Sequence, residues 1–229
     1  MSKPILIIQN HPVESAGTIL DWLTDRALAY SVVHTYKDQP LPAISEIDAA
    51  IGLGCPHSVL RYREHAYLRN LHAWLAESVR DDKPFLGLCF SGQMLASILG
   101  ARVETGKSQE IGIFNVELTD EGADDPLFAG FDRKLPVFQW HNDTFRTPFG
   151  ASHLVRGGLW KHQGYRKGRQ IGLQFHLEAR PEDIPAWCDA YADELESAGL
   201  NRDGIISDFN AVSPQVHDLT YRLLDNWLG

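Results

Sequence analysis

Cysteine is scarce in this chain. Cys55, Cys89 and Cys188 are its only three among 229 residues, too few and too odd a number for a disulfide framework. Such sparing use suits a reducing compartment, so a cytoplasmic location is expected. Long apolar runs are also missing. No stretch approaches the roughly 18 apolar residues that a membrane helix needs. The opening MSKPILIIQN has only a short apolar run and reads as neither signal peptide nor anchor. Positive charge is in the minority: 21 Lys and Arg against 30 Asp and Glu give a net charge of -9. A nucleic-acid binder would carry a basic face, so neither nucleic acid nor membrane is expected as a partner. There is no phosphate loop of the G-x-x-x-x-G-K-[ST] type. The histidines show no metal-ligand spacing such as H-E-x-x-H, so no metal or other cofactor is expected. Repeats, low-complexity tracts and linkers are absent too, and residues 1–229 read as a single domain.

What is present is a chain that is 44% hydrophobic, ample for a core. Short apolar runs at 4–8, 31–35, 49–54 and 84–88 read as buried strands. Helical patterns separate them: Ala16–Ala29 behind a Ser15 cap, then 61–80, then 91–100 ended by Gly100. Apolar strands alternating with helices imply a parallel sheet covered on both faces. In the second half, strands at 111–118, 136–140, 153–157 and 169–175 follow one another closely, which suggests an antiparallel extension. From Pro181 onward, Glu182–Leu195 and Pro214–Leu228 read as helices. The fold class is therefore α/β: a mostly parallel central sheet flanked by helices, with an antiparallel extension and C-terminal helices.

One stretch concentrates chemistry. PFLGLCFSGQMLA (84–96) places Cys89 between a strand and a helix, among small residues. A lone cysteine is more often a packing residue. The strand–turn–helix context instead matches a nucleophile elbow of the G-x-S-x-G kind, with cysteine in place of serine. The helix N-terminus beside the sulfur would favour thiolate. Such a nucleophile needs a base and a group to orient it. In QFHLE (174–178), His176 and Glu178 fall on the same side of an extended segment. There a carboxylate can fix the imidazole tautomer. Alone, an H-x-E is as readily a surface salt pair.

Together, Gly-Leu-Cys-Phe-Ser-Gly-Gln (87–93) and the distant Gln-Phe-His-Leu-Glu (174–178) resemble a class I, triad-type glutamine amidotransferase. The resemblance is to the standalone proteins related to the glutaminase domain of GMP synthase. Gly-Cys-Pro-His-Ser-Val (54–59) is similar to that family's G-G-P-x-S loop. Segments 109–112, 125–128 and 138–145 resemble further stretches of the standalone branch. The resemblance implies a flavodoxin-like fold and the following roles. Cys89 attacks the carboxamide of glutamine or another γ-glutamyl small molecule, His176 is the acid/base and Glu178 orients it. Backbone N–H groups of Cys55 and Phe90 form the oxyanion hole. Gly54, Pro56, Gln93, His141, Asn142 and Asp143 contact the substrate. No ATP-using domain fits in the chain. Either a separate ATP-dependent synthetase subunit takes the ammonia, or the chain hydrolyses γ-glutamyl compounds by itself.

Three positions depart from the family pattern. Ser91 replaces the second elbow glycine, which adds a Cβ where strand and helix pack closest. Cys55 replaces a glycine of the oxyanion loop, where a left-handed conformation would cost about 1–2 kcal/mol. Leu177 stands where the family has proline. None removes a reacting group, so an active enzyme is expected; a catalytically silent module is the reading these departures leave open.

Overall fold

The computed structural model describes residues 3–228. Its strands, in chain order, are β1 (Ile5–Gln9), β2 (Tyr30–His34), β3 (Ala49–Gly52), β4 (Phe85–Leu88), β5 (Val103–Leu118), β6 (Lys134–Phe145), β7 (Ser152–Arg156), β8 (Gly164–Lys167) and β9 (Gln170–Leu173). The helices are α1 (Gly17–Asp25), α2 (Ala66–Arg80), α3 (Phe90–Ile98), α4 (Asp120–Asp124), α5 (Ile184–Ala190), α6 (Ala192–Ser197) and α7 (Arg202–Leu228). All nine strands form one sheet in the order β2-β1-β3-β4-β9-β8-β7-β5-β6. The first five in that order are parallel and the rest antiparallel.

The parallel half follows from its apolar strands. Side chains alternate along β1, so Ile5 and Ile7 face one core while Leu6 and Ile8 face the other. The first core is closed by α1 and α7, through Ile19, Trp22, Val216, Leu219 and Leu223. The second is closed by α2 and α3, through Leu68, Leu71, Leu75, Phe90 and Leu95. A third cluster joins β5 and β6 to the C-terminal helices, with Phe138 and Trp140 packed against Ile184, Trp187, Tyr191 and Phe209. Among the described residues, no helix is long and apolar enough to cross a membrane.

Several boundaries differ from the sequence reading. Ser15 lies one residue ahead of the α1 cap, which is Ala16. It still ties the entry: its hydroxyl accepts the Gly17 N–H at 3.2 Å and donates to Asp183 at 3.1 Å. Residues 61–64 form part of a 3-10 turn, Val59–Glu64, and α2 proper starts at Ala66. Strand β8 is too short and polar to show a period, and the sequence carries no sign of it. The helix expected over Glu182–Leu195 breaks at Tyr191, whose φ of -117° and ψ of 33° leave the helical region. The last helix begins at Arg202 rather than Pro214 and runs through the proline. Proline cannot supply the N–H for the Asn210 carbonyl four residues back. The Ser213 hydroxyl donates to that carbonyl instead, at 3.2 Å.

Candidate active site

Cys89 stands where β4 turns into α3, at the C-terminal edge of the parallel strands, where open sheets place their sites. Its φ of 46° and ψ of -110° are sterically costly for a residue with a Cβ. Neighbours hold it there: its N–H donates to the Leu173 carbonyl at 2.8 Å, and its own carbonyl accepts from Gln93 N–H at 2.9 Å. The close crossing of strand and helix is made by glycines. A Cβ on Gly87 would stand 2.7 Å from the Gly92 nitrogen, and one on Gly92 would stand 2.9 Å from the Gly87 oxygen. Ser91 is accommodated because Gly52 faces it: a Cβ there would meet the Ser91 Cβ and Oγ at 2.7 Å. Ser91 is helical, and its hydroxyl donates to the Leu53 carbonyl at 2.6 Å. The departure at position 91 therefore ties the elbow to β3.

His176 and Glu178 lie just past β9, both buried, joined Nδ1 to Oε1 at 2.6 Å. With Nδ1 committed, Nε2 is the nitrogen left for Cys89, and it has no hydrogen-bond partner among the described residues. Burial pushes the Cys89 thiol up, and the nearby His176 opposes it. For His176, burial acts downward but Glu178 and the sulfur outweigh it, so the imidazole holds its proton well above the ordinary range. A thiol, an imidazole and a carboxylate in this order can move a proton from sulfur to nitrogen and back to a leaving group. Gln174 adds a weak N–H contact to the sulfur at 3.7 Å.

Two backbone N–H groups, that of Cys55, which lines the same cavity as Cys89, and that of Phe90, next to Cys89 in the chain, have no acceptor among the described residues. Cys55 has no positive φ, so the left-handed cost does not arise. Its thiol contacts the Tyr67 hydroxyl at 3.7 Å, and burial pushes it up to about 12, out of reach of neutral-pH chemistry. Leu177, the third departure, is buried in the first core.

A cavity of about 210 Å³ opens over Cys89. Of the residues expected to contact substrate, Pro56, Gln93, His141, Asn142 and Asp143 line it, as do Cys55 and Cys89. Gly54 lies just behind, where a Cβ would collide with Glu14 Oε2 at 1.9 Å. Gln93 donates to the Asp143 carbonyl at 2.8 Å, which leaves its own carbonyl oxygen free. The Asp143 carboxylate is occupied by the hydroxyls of Ser58 and Thr105. The His141 ring spans the Asp143 carbonyl and the Glu110 carboxylate, each at 2.9 Å, so it braces the loop and Asn142 is the exposed member.

Eight of the lining residues are not among the expected site residues: Glu14, His57, Ser58, Gln109, Trp140, Trp187, Tyr191 and Glu194. Trp187 is both buried and on the cavity wall. Tyr191 donates to Glu14 Oε1 at 2.7 Å, and Trp140 donates from its indole to Glu194 at 2.9 Å. Burial pushes the Glu14 carboxyl up to about 7; His176 and the Tyr191 hydroxyl pull it down, while Glu178 and Glu194 push it further up. His57, Ser58, Gln109 and Trp140 fall in segments that the sequence reading singles out, and Glu14 follows β1 at the sheet edge where sites gather; Trp187, Tyr191 and Glu194 carry no such signal.

The same arrangement of elements occurs in known proteins. A glutamine amidotransferase crystal structure from Thermotoga maritima superposes with a TM-score of 0.92 at 29% identity, over 99% of this chain and 98% of that one. The glutamine amidotransferase-like protein YfeJ of Salmonella typhimurium is 30% identical over 190 residues, 81% of this chain and 80% of that protein. A glutamine-hydrolysing GMP synthase subunit of Saccharolobus solfataricus is 28% identical over 145 residues, 62% of this chain and 73% of that protein. The family model described as glutamine amidotransferase class-I matches residues 19–186, and the chain belongs to that family.

Proposed function

We propose that the chain hydrolyses the γ-amide of glutamine or of a related γ-glutamyl compound through a thioester on Cys89. The observation that carries this is a cysteine at a strained turn on the cavity wall, backed by the buried His176–Glu178 pair, with two unpartnered N–H groups at Cys55 and Phe90. Cys89 gives its proton to His176 Nε2, and the sulfur attacks the γ-carbonyl carbon. The oxyanion sits between the N–H groups of Cys55 and Phe90. The C–N bond breaks as His176 returns the proton to the departing nitrogen. Water, deprotonated by the same imidazole, then splits the thioester to glutamate and restores the thiol. The free Gln93 carbonyl oxygen and the 141–143 loop hold the amino-acid end. Residues 1–229 act as one catalytic domain without metal or cofactor.

The Saccharolobus relative is one subunit of a GMP synthase, which favours a separate synthetase subunit that receives ammonia. Hydrolysis by the chain alone is the second reading. It is favoured by Trp187, Tyr191 and Glu194, which wall one side of the cavity from within the chain. The test is covalent labelling with a glutamine-analogue diazoketone, mapped by mass spectrometry. An adduct on Cys89 that is lost in His176→Ala is the expected result. No adduct at any pH, together with no ammonia release from glutamine, would remove the hydrolase reading.

A further inference from the structure

The wall of the cavity beside the imidazole has a composition of its own. Among the described residues no lysine or arginine lines the cavity, whereas three carboxylates do: Glu14, Asp143 and Glu194. The Asp143 carboxylate is taken up by two hydroxyls. The other two are not saturated. Glu14 is only 4% exposed, and its Oε1 accepts from Tyr191. No donor among the described residues meets its Oε2. The position of Oε2 is informative: it and His176 Cε1 flank the same point beside Gly54, 1.9 and 3.2 Å from where a Cβ would stand. Glu14 is thus adjacent to the ring that delivers a proton to the leaving nitrogen. Glu194 accepts one indole N–H and keeps its other oxygen unbonded. Between and around them stand the rings of Trp140, Trp187 and Tyr191, with Trp140 and Tyr191 centred 5.6 Å apart.

Carboxylates among aromatic faces, with no lysine or arginine between them, form a receptor for a positively charged nitrogen. We propose that this wall is a subsite for a cationic nitrogen carried by the leaving group, so that the favoured substrates are γ-glutamyl amides of diamines. The inference deepens the hydrolase reading above and rests on it. The amide nitrogen leaves with the proton from His176, the second nitrogen stays protonated throughout, and the products are glutamate and the free diamine. Leaving groups that end in a carboxylate, as in γ-glutamyl dipeptides, meet like charge on Glu194 and on the ionised form of Glu14, and are disfavoured.

Three amides that each carry three carbons beyond the amide nitrogen separate the possibilities: γ-glutamyl-1,3-diaminopropane, γ-glutamyl-propylamide and γ-glutamyl-β-alanine. Titration into the Cys89→Ser protein reads binding without turnover. The diamine amide is expected to bind at least tenfold more tightly than the β-alanine amide, with the propylamide between. In Cys89→Ser combined with Glu194→Gln, the preference of diamine amide over propylamide should shrink several-fold. Equal or reversed affinities, or no binding of any of the three, overturn the subsite. Turnover by the unaltered protein is read in parallel. If the diamine amide binds in this order but neither it nor glutamine is hydrolysed, the chemistry fails while the subsite stands.

Discussion

The elbow and the C-terminal wall border the same cavity but are built in opposite ways. At the elbow, position is set by backbone against backbone: Gly52, Gly87 and Gly92 let β3, β4 and α3 approach so closely that no added Cβ fits. At the wall, position is set by side chains from segments far apart, with Tyr191 bonded to Glu14 from 177 residues away. The elbow should therefore be brittle in both fold and activity, and the wall should tolerate change at the cost of selectivity. The largest effect is expected from Cys89→Ala, which deletes the proposed nucleophile. Turnover should fall by at least about 10⁴-fold, as for nucleophile deletions in triad enzymes. Unfolding by urea should stay near that of the unaltered protein, since the lost sulfur bonds are weak. Retention of even a tenth of the activity would remove Cys89 from the mechanism.

Glu178→Gln keeps the shape of the pair and removes its charge. A drop of about 10²–10⁴ in kcat is expected, from loss of tautomer control and of imidazolium stabilisation. The pH profile gives a sharper reading. The doubly protonated pair, thiol with imidazolium, cannot attack; activity appears as one proton leaves. Glu178 holds the His176 proton on, so its removal lets that proton leave at lower pH. The acid limb of kcat/KM should shift downward in the variant. A limb that moves upward or stays in place would show that Glu178 does not govern His176.

Gly87→Ala tests the brittle side directly. The new Cβ would lie 2.7 Å from backbone atoms of Ser91 and Gly92, which no side-chain rotation relieves. A loss of about 1–3 kcal/mol in unfolding free energy is expected, the range for overpacking at a tight site. A denaturant midpoint equal to that of the unaltered protein would mean that strand and helix are not locked together.

The same contrast explains what is legible in the sequence. Apolar runs and their periods reveal strands, helices and the parallel half, because burial on both faces leaves a continuous signal. The elbow is legible because close backbone approach demands glycines at fixed spacing around Cys89. Ser91 reads as a defect, since its compensation, Gly52, lies on another strand. The wall is opaque for a related reason. Trp140, Trp187, Tyr191 and Glu194 look like ordinary strand and helix residues, and the break at Tyr191 has no proline or glycine to announce it. Glu14 reads as a loop acid until the fold buries it. A sequence reading cuts α7 short because Pro214 normally interrupts a helix, and Ser213 repairs the orphaned carbonyl with a side chain.

The smallest effect is expected at the wall, from Tyr191→Phe. The ring and its packing survive, and one hydroxyl is lost from Glu14 Oε1. That hydroxyl, like His176, helps to hold the Glu14 carboxyl down against burial and the neighbouring Glu178 and Glu194. Without it, the carboxyl rises above its value of about 7 and is mostly neutral at that pH. A neutral acid attracts a cation less. The KM for γ-glutamyl-1,3-diaminopropane should therefore rise a few-fold near pH 7 and recover as the pH is raised and the carboxyl ionises. The KM for the uncharged propylamide should show much less of this recovery. If both amides respond alike, the hydroxyl acts on packing alone; if only the cationic one does, the wall reads charge while the elbow performs the chemistry.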